Sequence, residues 1–480
     1  MKALIKSLVL FCAVIYSPAC LGTTYTWNGA SSVWDLNSNW LPSTGFPGSA
    51  DNVIIVNAAV QPVLNATQSV TDFTISSGTL DLNTFTLTVT GVATYTLGTI
   101  NNGTITSTGT STTFSGTVFG AVVNATSASV RLNGSTFNNI ATITQNGGAD
   151  VLSSGGNTFN AVTTITNNGG GFFALGNNAP DIFATNVNFN NTGTDELYVA
   201  YNSTGNQFNG VTTFTNAASA RFIYSNAGIG GTAAYNGNVV VSNASPSGGI
   251  FFGIVGGTAT LADTKTITAG SFATGRLLLR DFTQTGTTAQ TLTLTGTALI
   301  ETGPSAVFNG NTTITSPQVL LNGTRFNGTA AITKNGITQN NSNGGNVFVG
   351  AATISNTGAG VLLLGNSDFD TFNDLAISNT GTSQIFLATN ATGHLFNGHI
   401  TFHQTTGTGI FFGSGTGTST LAATKTLSTA PGVTGGTLNF ARFTQTGATA
   451  PGTYNIRGNR LATDGTISRI RRGCNIRLFA

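Results

Sequence analysis

Charged side chains are scarce in this 480-residue chain: Asp, Glu, Lys and Arg together make up 7%, against about 25% in an average soluble domain. The few present are unevenly placed. Lys2 and Lys6 fall at the start, and six arginines (Arg457, Arg460, Arg469, Arg471, Arg472, Arg477) crowd the C-terminal tail. Between residues 23 and 456 stand nine basic and fourteen acidic side chains, a net of −5. That body offers no basic footprint, so nucleic acid is not an expected partner. Cysteine is almost as rare. Cys12 and Cys20 both precede Gly22, which leaves Cys474. Disulfides therefore cannot hold the fold. Stretches rich in Leu, Glu, Lys and Ala are missing too, while Gly, Thr and Asn, which are poor helix formers, abound. A helical protein is thereby excluded. After residue 22 no run reaches the ~18 apolar residues of a membrane-spanning helix.

What is present argues against disorder: 39% hydrophobic residues, with 32 Phe and 63 Gly. The opening MKALIKSLVLFCAVIYSPACLG has the layout of a secretory signal peptide, residues 1–22. Lys2 and Lys6 form the basic start, Leu8 to Tyr16 the apolar core, and small residues follow up to a cleavage point after Gly22. Lipidation at Cys20 is the alternative, but Ser17-Pro18-Ala19 lacks the aliphatic residue such signals carry.

Phe (or Tyr) followed by Asn returns along the chain: TFNN at 136, TFNA at 158, QFNG at 207, AYNG at 234, VFNG at 307, RFNG at 325, TFND at 371 and LFNG at 395. With Phe114, Phe183 and Phe348 added, the steps run from 18 (Phe308 to Phe326) to 27 (Phe208 to Tyr235), the period of a solenoid. A larger repeat overlies this one, spanning about 130–299 and 319–456. VRLNGSTFNN returns as VLLNGTRFNG, TGNQFNGVTTF as TGHLFNGHITF, GIFFG at 249 recurs at 409, and TLADTKTI returns as TLAATKTL. The offset is 188–189 up to the FNG motif and 160 after GIFFG, so the first copy holds about 28 extra residues, one repeat unit, centred on AYNGNVVV. A stack of coils accepts one more coil because each touches only its neighbours.

Within units, stretches such as ATITQNGG and TTITNNGG alternate apolar and hydroxyl residues, as half-buried strands do. Others, GIFFG, RLLLR and VLLLG, are continuous apolar runs. Asn-Gly and Gly-Gly pairs supply corners. Units of ~23 residues are too short for a βαβ unit, which needs about 30. The expected fold is all-β: a right-handed parallel β-helix over residues 56–456, of about 17 turns, with stacked Phe and Ile inside and Asn ladders at equivalent corners. Structural weight falls on Phe137, Phe159, Phe208, Phe326, Phe372 and Phe396. The segment 23–55, with Trp27, Trp34 and Trp40, is the expected N-terminal cap, and 457–480 an irregular Arg-rich tail.

That N-terminal segment resembles the opening of repeat-rich secreted and cell-surface β-helix proteins of Bacteroidetes and related bacteria, autotransporter-type adhesins among them. The matching elements are Trp27-Asn28-Gly29, Trp34-Asp35, Asn39-Trp40, Pro47-Gly48 and Asp51-Asn52-Val53, followed by FTISSGTLDLNTFTLTVTG. The resemblance runs from Thr24 to Gly91. It implies a β-helical, secreted, surface-associated protein and transfers no catalytic residue. Such proteins end in a sorting domain or a barrel. Here the rhythm stops near Ile456, so a truncated or frame-shifted end is one reading of the tail and a solvated basic tail the other.

Candidate chemistry is thin. His399 and His403 stand four apart, the zinc spacing of a helix. On a strand they lie ~13 Å apart and cannot share an ion. Asp368, Asp370 and Asp374 are the densest acids and weak candidates for calcium or catalysis; the first large copy keeps Asp181 for Asp370 but has Ala179 and Thr185 for the others. The nine-residue calcium repeat is absent, and GSGTGT has no strand–loop–helix context for a phosphate. Thr-x-Thr rows, as in TFTLTVTG, raise ice binding as a further possibility. No catalytic residue, metal or cofactor is assigned. The expected function is a non-enzymatic structural or adhesive solenoid, secreted or on the cell surface, offering Thr and Asn to glycans or surfaces. The alternative is a carbohydrate-active β-helix, a lyase or glycan-binding module.

Overall fold

The computed structural model describes residues 22–446 apart from 227–229, 255, 405–407, 414 and 431–436, together with the backbone of strands at 454–457, 460–461 and 476–479. The expected signal segment, save Gly22, and the rest of the Arg-rich tail lie outside the described residues. The fold is an all-β parallel solenoid. Strands of two to six residues pair in register with strands one coil away. Two compact units divide at Ser127/Ala128.

In the first unit the ladder Asn52–Ile55, Phe73–Ile75, Val92–Tyr95 and Ser111–Phe114 forms one side. Thr24–Trp27 joins it in parallel and also takes Trp40–Leu41 antiparallel, with Trp27 opposite Trp40. Trp27, Trp34 and Trp40 are buried, with Trp40 packed edge-on against both others at 4.9 and 4.7 Å. The Trp40 indole donates to the Trp34 carbonyl at 2.6 Å, and that of Trp27 to Val60 at 2.8 Å. Gly29 has φ +72°, and a Cβ there would stand 2.6 Å from the Ala58 methyl, so the Trp-Asn-Gly motif has its glycine for room and conformation alike. Phe114 departs from the expected Phe series. It sits on this side, stacked on Tyr95 at 5.1 Å, while Phe119 occupies the strand that pairs with Thr99–Asn101.

In the second unit each coil has three sides, and the Phe-Asn-Gly motif explains one of them. The Phe points inward and stacks on its counterpart one coil on. Phe137, Phe159, Phe183, Phe208 and Tyr235 form one column, with ring centroids 4.6–5.3 Å apart and planes within 17°. Phe308, Phe326, Phe348, Phe372 and Phe396 form another, at 4.7–5.5 Å. Each is at most 2% exposed. Removing one such ring costs about 3–5 kcal/mol. The Asn points outward, and its amide donates to the Asn of the preceding coil: Asn160 to Asn138, Asn236 to Asn209 and Asn327 to Asn309, at 2.6–2.8 Å. At the Gly, neighbouring coils approach too closely for a side chain. A Cβ on Gly237 would stand 1.9 Å from the Gly210 oxygen, and one on Gly350 2.3 Å from that of Gly328.

The second side carries the alternating segments, such as Ala141–Gln145, Thr163–Asn167 and Val187–Asn191, with Ile143, Ile165 and Phe189 inward in register. The inward amides at its end, Asn167, Asn191 and Asn243, bind mainly backbone carbonyls at the corner. Asn216 donates to Asn243 at 2.8 Å, a direct amide–amide rung. Lys334 takes the same buried place and gives its ammonium to the Gly336 and Gly360 carbonyls. The third side carries the continuous apolar runs. The extra residues of the first large copy form one full coil: Phe222–Asn226, Thr232–Tyr235 and Val239–Asn243, one strand per side. Beyond Ile456, Ile476–Phe479 pairs with Tyr454–Arg457, and Arg460–Leu461 with Thr437–Phe440.

Thr212 pairs with Val239 in like register, so deleting residues 212–238 removes one coil and joins like to like. The deletion variant should fold and unfold in one transition in urea with a slightly reduced slope. Deleting half as much should give insoluble or unfolded protein.

Candidate functional site

His399 and His403 flank or occupy the strand Ile400–Gln404, exposed, with Ile400 and Phe402 buried between them. The strand geometry separates the two imidazoles, and His399 Nδ1 lies 2.8 Å from the Thr426 hydroxyl. Among the described residues no three His, Cys, Asp or Glu side chains come together as metal ligands would. The three candidate acids also part. Asp368 and Asp374 are exposed, and Asp374 accepts the His399 amide at 2.8 Å. Asp370 is buried, two residues before Phe372 on the inner face.

Asp370 belongs to a buried polar ladder. The Thr324 amide donates to Asn346, the Asn346 amide and side chain donate to Asp370 Oδ1, and the Asp370 amide donates to His394 Nδ1, at 2.8–3.1 Å. The first large copy repeats it with Ser135, Asn157, Asp181 and Asn206. His394 thus stands where the first copy has Asn206. Its Nε2 and the Asp370 Oδ2 are buried without a hydrogen-bond partner. Burial pushes Asp370 from 3.8 up to about 7 and Asp181 up to about 6, and lowers His394 from 6.5 to about 4. These groups are buried parts of the core, out of reach of a substrate.

Outer faces are where binding chemistry collects. On the second side the outward positions form two ranks: Thr142, Thr164, Asn188 and Thr213 in one, Thr144, Thr166, Asn190 and Thr215 in the other. Thr313, Ala331 and Thr353 with Thr315, Thr333 and Ser355 continue the pattern in the second copy. Rungs repeat every ~4.8 Å and the ranks lie about 6.6–6.8 Å apart. None of these positions carries Asp, Glu, Lys or Arg. The first unit has the same arrangement in Thr86, Thr88, Thr104 and Thr106.

The third side differs, and sequence reading missed it. Its outward residues in the first copy include a cluster of aromatics: Phe172, Tyr198, Phe222, Tyr224 and Phe251. Tyr198 stacks on Tyr224 at 4.8 Å and 10°, and Phe222 meets Phe251 at 4.8 Å. Charge gathers at both ends of this strip. Arg221 bridges Asp195 and Glu196 at 3.1 and 3.0 Å. Burial and the neighbouring Asp195 push Glu196 up to about 7, while Asp195 lies below its ordinary range. Arg276 pairs with Glu301, and its guanidinium lies 5.5 Å from the Phe251 ring centre. An open groove of about 430 Å³ follows the strip, with Phe222, Phe251, Arg276, Leu299 and Gln318 in its lining. The signal lay in the runs GIFFG and RLLLR. A strand without alternation has an apolar outer face as well as an inner one.

No family model, curated protein or solved structure matches this chain. The site's chemistry therefore rests on its own residues.

Asp370 binds its proton more tightly folded than unfolded. Its contribution to stability is full below pH 3.8 and lost as pH rises through about 7. His394 binds its proton more weakly folded. Its contribution is full above pH 6.5 and lost as pH falls through about 4. Between about pH 4 and 6.5 the two oppose. His394→Asn should expose the Asp370 slope: stability in urea falls with rising pH more steeply than in the parent, by about 1.4 kcal/mol per unit. An unchanged slope would contradict the assignment.

Proposed function

We propose that this chain is a non-catalytic structural or adhesive solenoid, secreted or held at the cell surface, whose outer faces grip glycans or solid surfaces. The carrying observation is the second side: two ranks made mostly of hydroxyls and amides, repeated at one spacing over successive coils. Such a face offers many weak, identical hydrogen bonds and no strong one. It suits an extended, repeating, hydroxyl-rich partner, where each added coil contributes avidity without new chemistry. The separation of Asp368, Asp370 and Asp374 between surface and core supports the absence of catalysis. The apolar opening of residues 1–22 supports export.

A second reading, a carbohydrate-active solenoid, is favoured by Asp195 and Glu196. The two carboxyls lie side by side beside an aromatic strip, one pushed up to about 7 and the other held below its ordinary range, the inequality that acid–base catalysis uses.

Incubating purified protein with insoluble cellulose, chitin and cell-wall glycan separates these. The adhesive reading expects retention on at least one solid and no release of reducing sugar. It also expects a several-fold loss of retention in a Thr144→Val, Thr166→Val, Thr215→Val variant. Released sugar that disappears with Glu196→Gln would establish the enzyme instead. Thermal hysteresis of freezing, lost in the triple variant, would move the face to ice.

A further inference from the structure

We infer that the groove between Phe222 and Arg276 is a saccharide-binding site, built by the extra coil, for the pyranose rings of a neutral polysaccharide. The inference rests on the glycan-adhesive reading and gives it a place and a ligand class. On the third side, one outward row reads Phe222, Gly249, Arg276, Leu299 and Gln318 in successive coils. Phe222 and Arg276 flank Gly249 two coil rises apart, about 10 Å. The Phe251 ring and the Arg276 backbone close over Gly249, and the groove opens beside them, against Gly248 and Gly275. A Cβ on Gly249 would stand 2.1 Å from the Arg276 carbonyl oxygen and 3.0 Å from Phe251 Cε1.

The groove has the two surfaces a sugar ring needs. Phe251 and Phe222, in contact with each other, give an apolar wall for the ring's C–H face. Arg276, Gln318, Thr274, Thr297 and Ser247 set donors and acceptors around it. Its volume of about 430 Å³ lies within the ~300–1,000 Å³ of small-ligand sites. The lining continues from Phe222 and Phe251 to Leu299 and Gln318, so an extended glycan would run along the row in that direction.

Charge selects the class. Arg276 is paired with Glu301, and Arg221 with Asp195 and Glu196. Both arginines of the strip are thus already neutralised. An acidic sugar would have to displace a carboxylate, while neutral hydroxyls fit beside the ion pairs.

The second large copy is a built-in control. It repeats the run as Gly409–Phe412, and Phe411 even stacks on Phe386 at 4.8 Å. There the glycine's neighbour is Gln384 in place of Phe222, and the following strand begins at Thr437 in place of Arg276. The aromatic wall Phe222 comes from the coil that this copy lacks.

Titration calorimetry of the full chain with soluble oligomers of glucose, mannose and N-acetylglucosamine, and with oligogalacturonate, tests this. At least one neutral oligomer should bind and oligogalacturonate should not. Phe251→Ala and Arg276→Gln should each weaken that binding about tenfold or more, and Phe411→Ala should leave it within about twofold. Arg276 is half-exposed, so its variant keeps the test valid even if Phe251→Ala unfolds. The site is overturned by preference for oligogalacturonate, by equal loss in Phe411→Ala, or by the absence of any soluble binding. In the last case, retention on an insoluble glycan would leave the adhesive reading standing while the groove site falls.

Discussion

Everything in this protein depends on one constraint: equivalent residues of successive coils must lie over one another at the rise of a single β-strand spacing. That contact is short, so it is selective. Where the backbones come closest only glycine fits, as at Gly237 and Gly350. Where they are held apart by a full side chain, flat rings stack on flat rings and amides meet amides. The same three-residue motif supplies all three: a ring for the interior, an amide for the exterior and a bare position for the corner. With so little charge and so little cysteine, repetition of these contacts takes the place of ion pairs and cross-links.

Register also fixes chemistry. Inside the second unit, two columns of rings run alongside a polar ladder in which Asn, Asp and His pass hydrogen bonds from coil to coil. That ladder takes up Asp370, one of the three acids picked out in the sequence, together with His394. Outside, one side is a repetitive hydroxyl face and another an aromatic strip flanked by ion pairs. Such a molecule evolves by coil. The inserted coil left the fold's logic intact and changed what the outer row presents, adding Phe222 and Tyr224 to a strip that otherwise holds fewer rings.

The fold was legible in the sequence because its determinants are local and repeated. The spacing of Phe137, Phe159 and Phe208, the alternation of ATITQ, and the two offsets between copies describe coils that the structure contains. The His399–His403 pair was also legible, since alternation along a strand decides where each imidazole points. Phe114 was misassigned because spacing cannot tell which side of a coil a ring occupies. His394 was passed over because its role comes from Asp370, one coil away. The aromatic strip was hidden for a related reason: an apolar run shows that both faces are apolar, and only the register of neighbouring coils shows that Tyr198, Tyr224 and Phe251 meet.

In-register parallel stacking is tested most directly by cross-linking. Thr142 and Thr164 are outward partners in adjacent coils, at a separation of about 4.8 Å that suits a disulfide. In a background with Cys12, Cys20 and Cys474 replaced by serine, mild oxidation of a Thr142→Cys, Thr164→Cys variant should give the 142–164 disulfide in nearly all molecules, mapped by mass spectrometry. The offset pair Thr142→Cys, Thr166→Cys should stay reduced. Equal cross-linking of both pairs, or none in the first, would contradict the stacked-coil account.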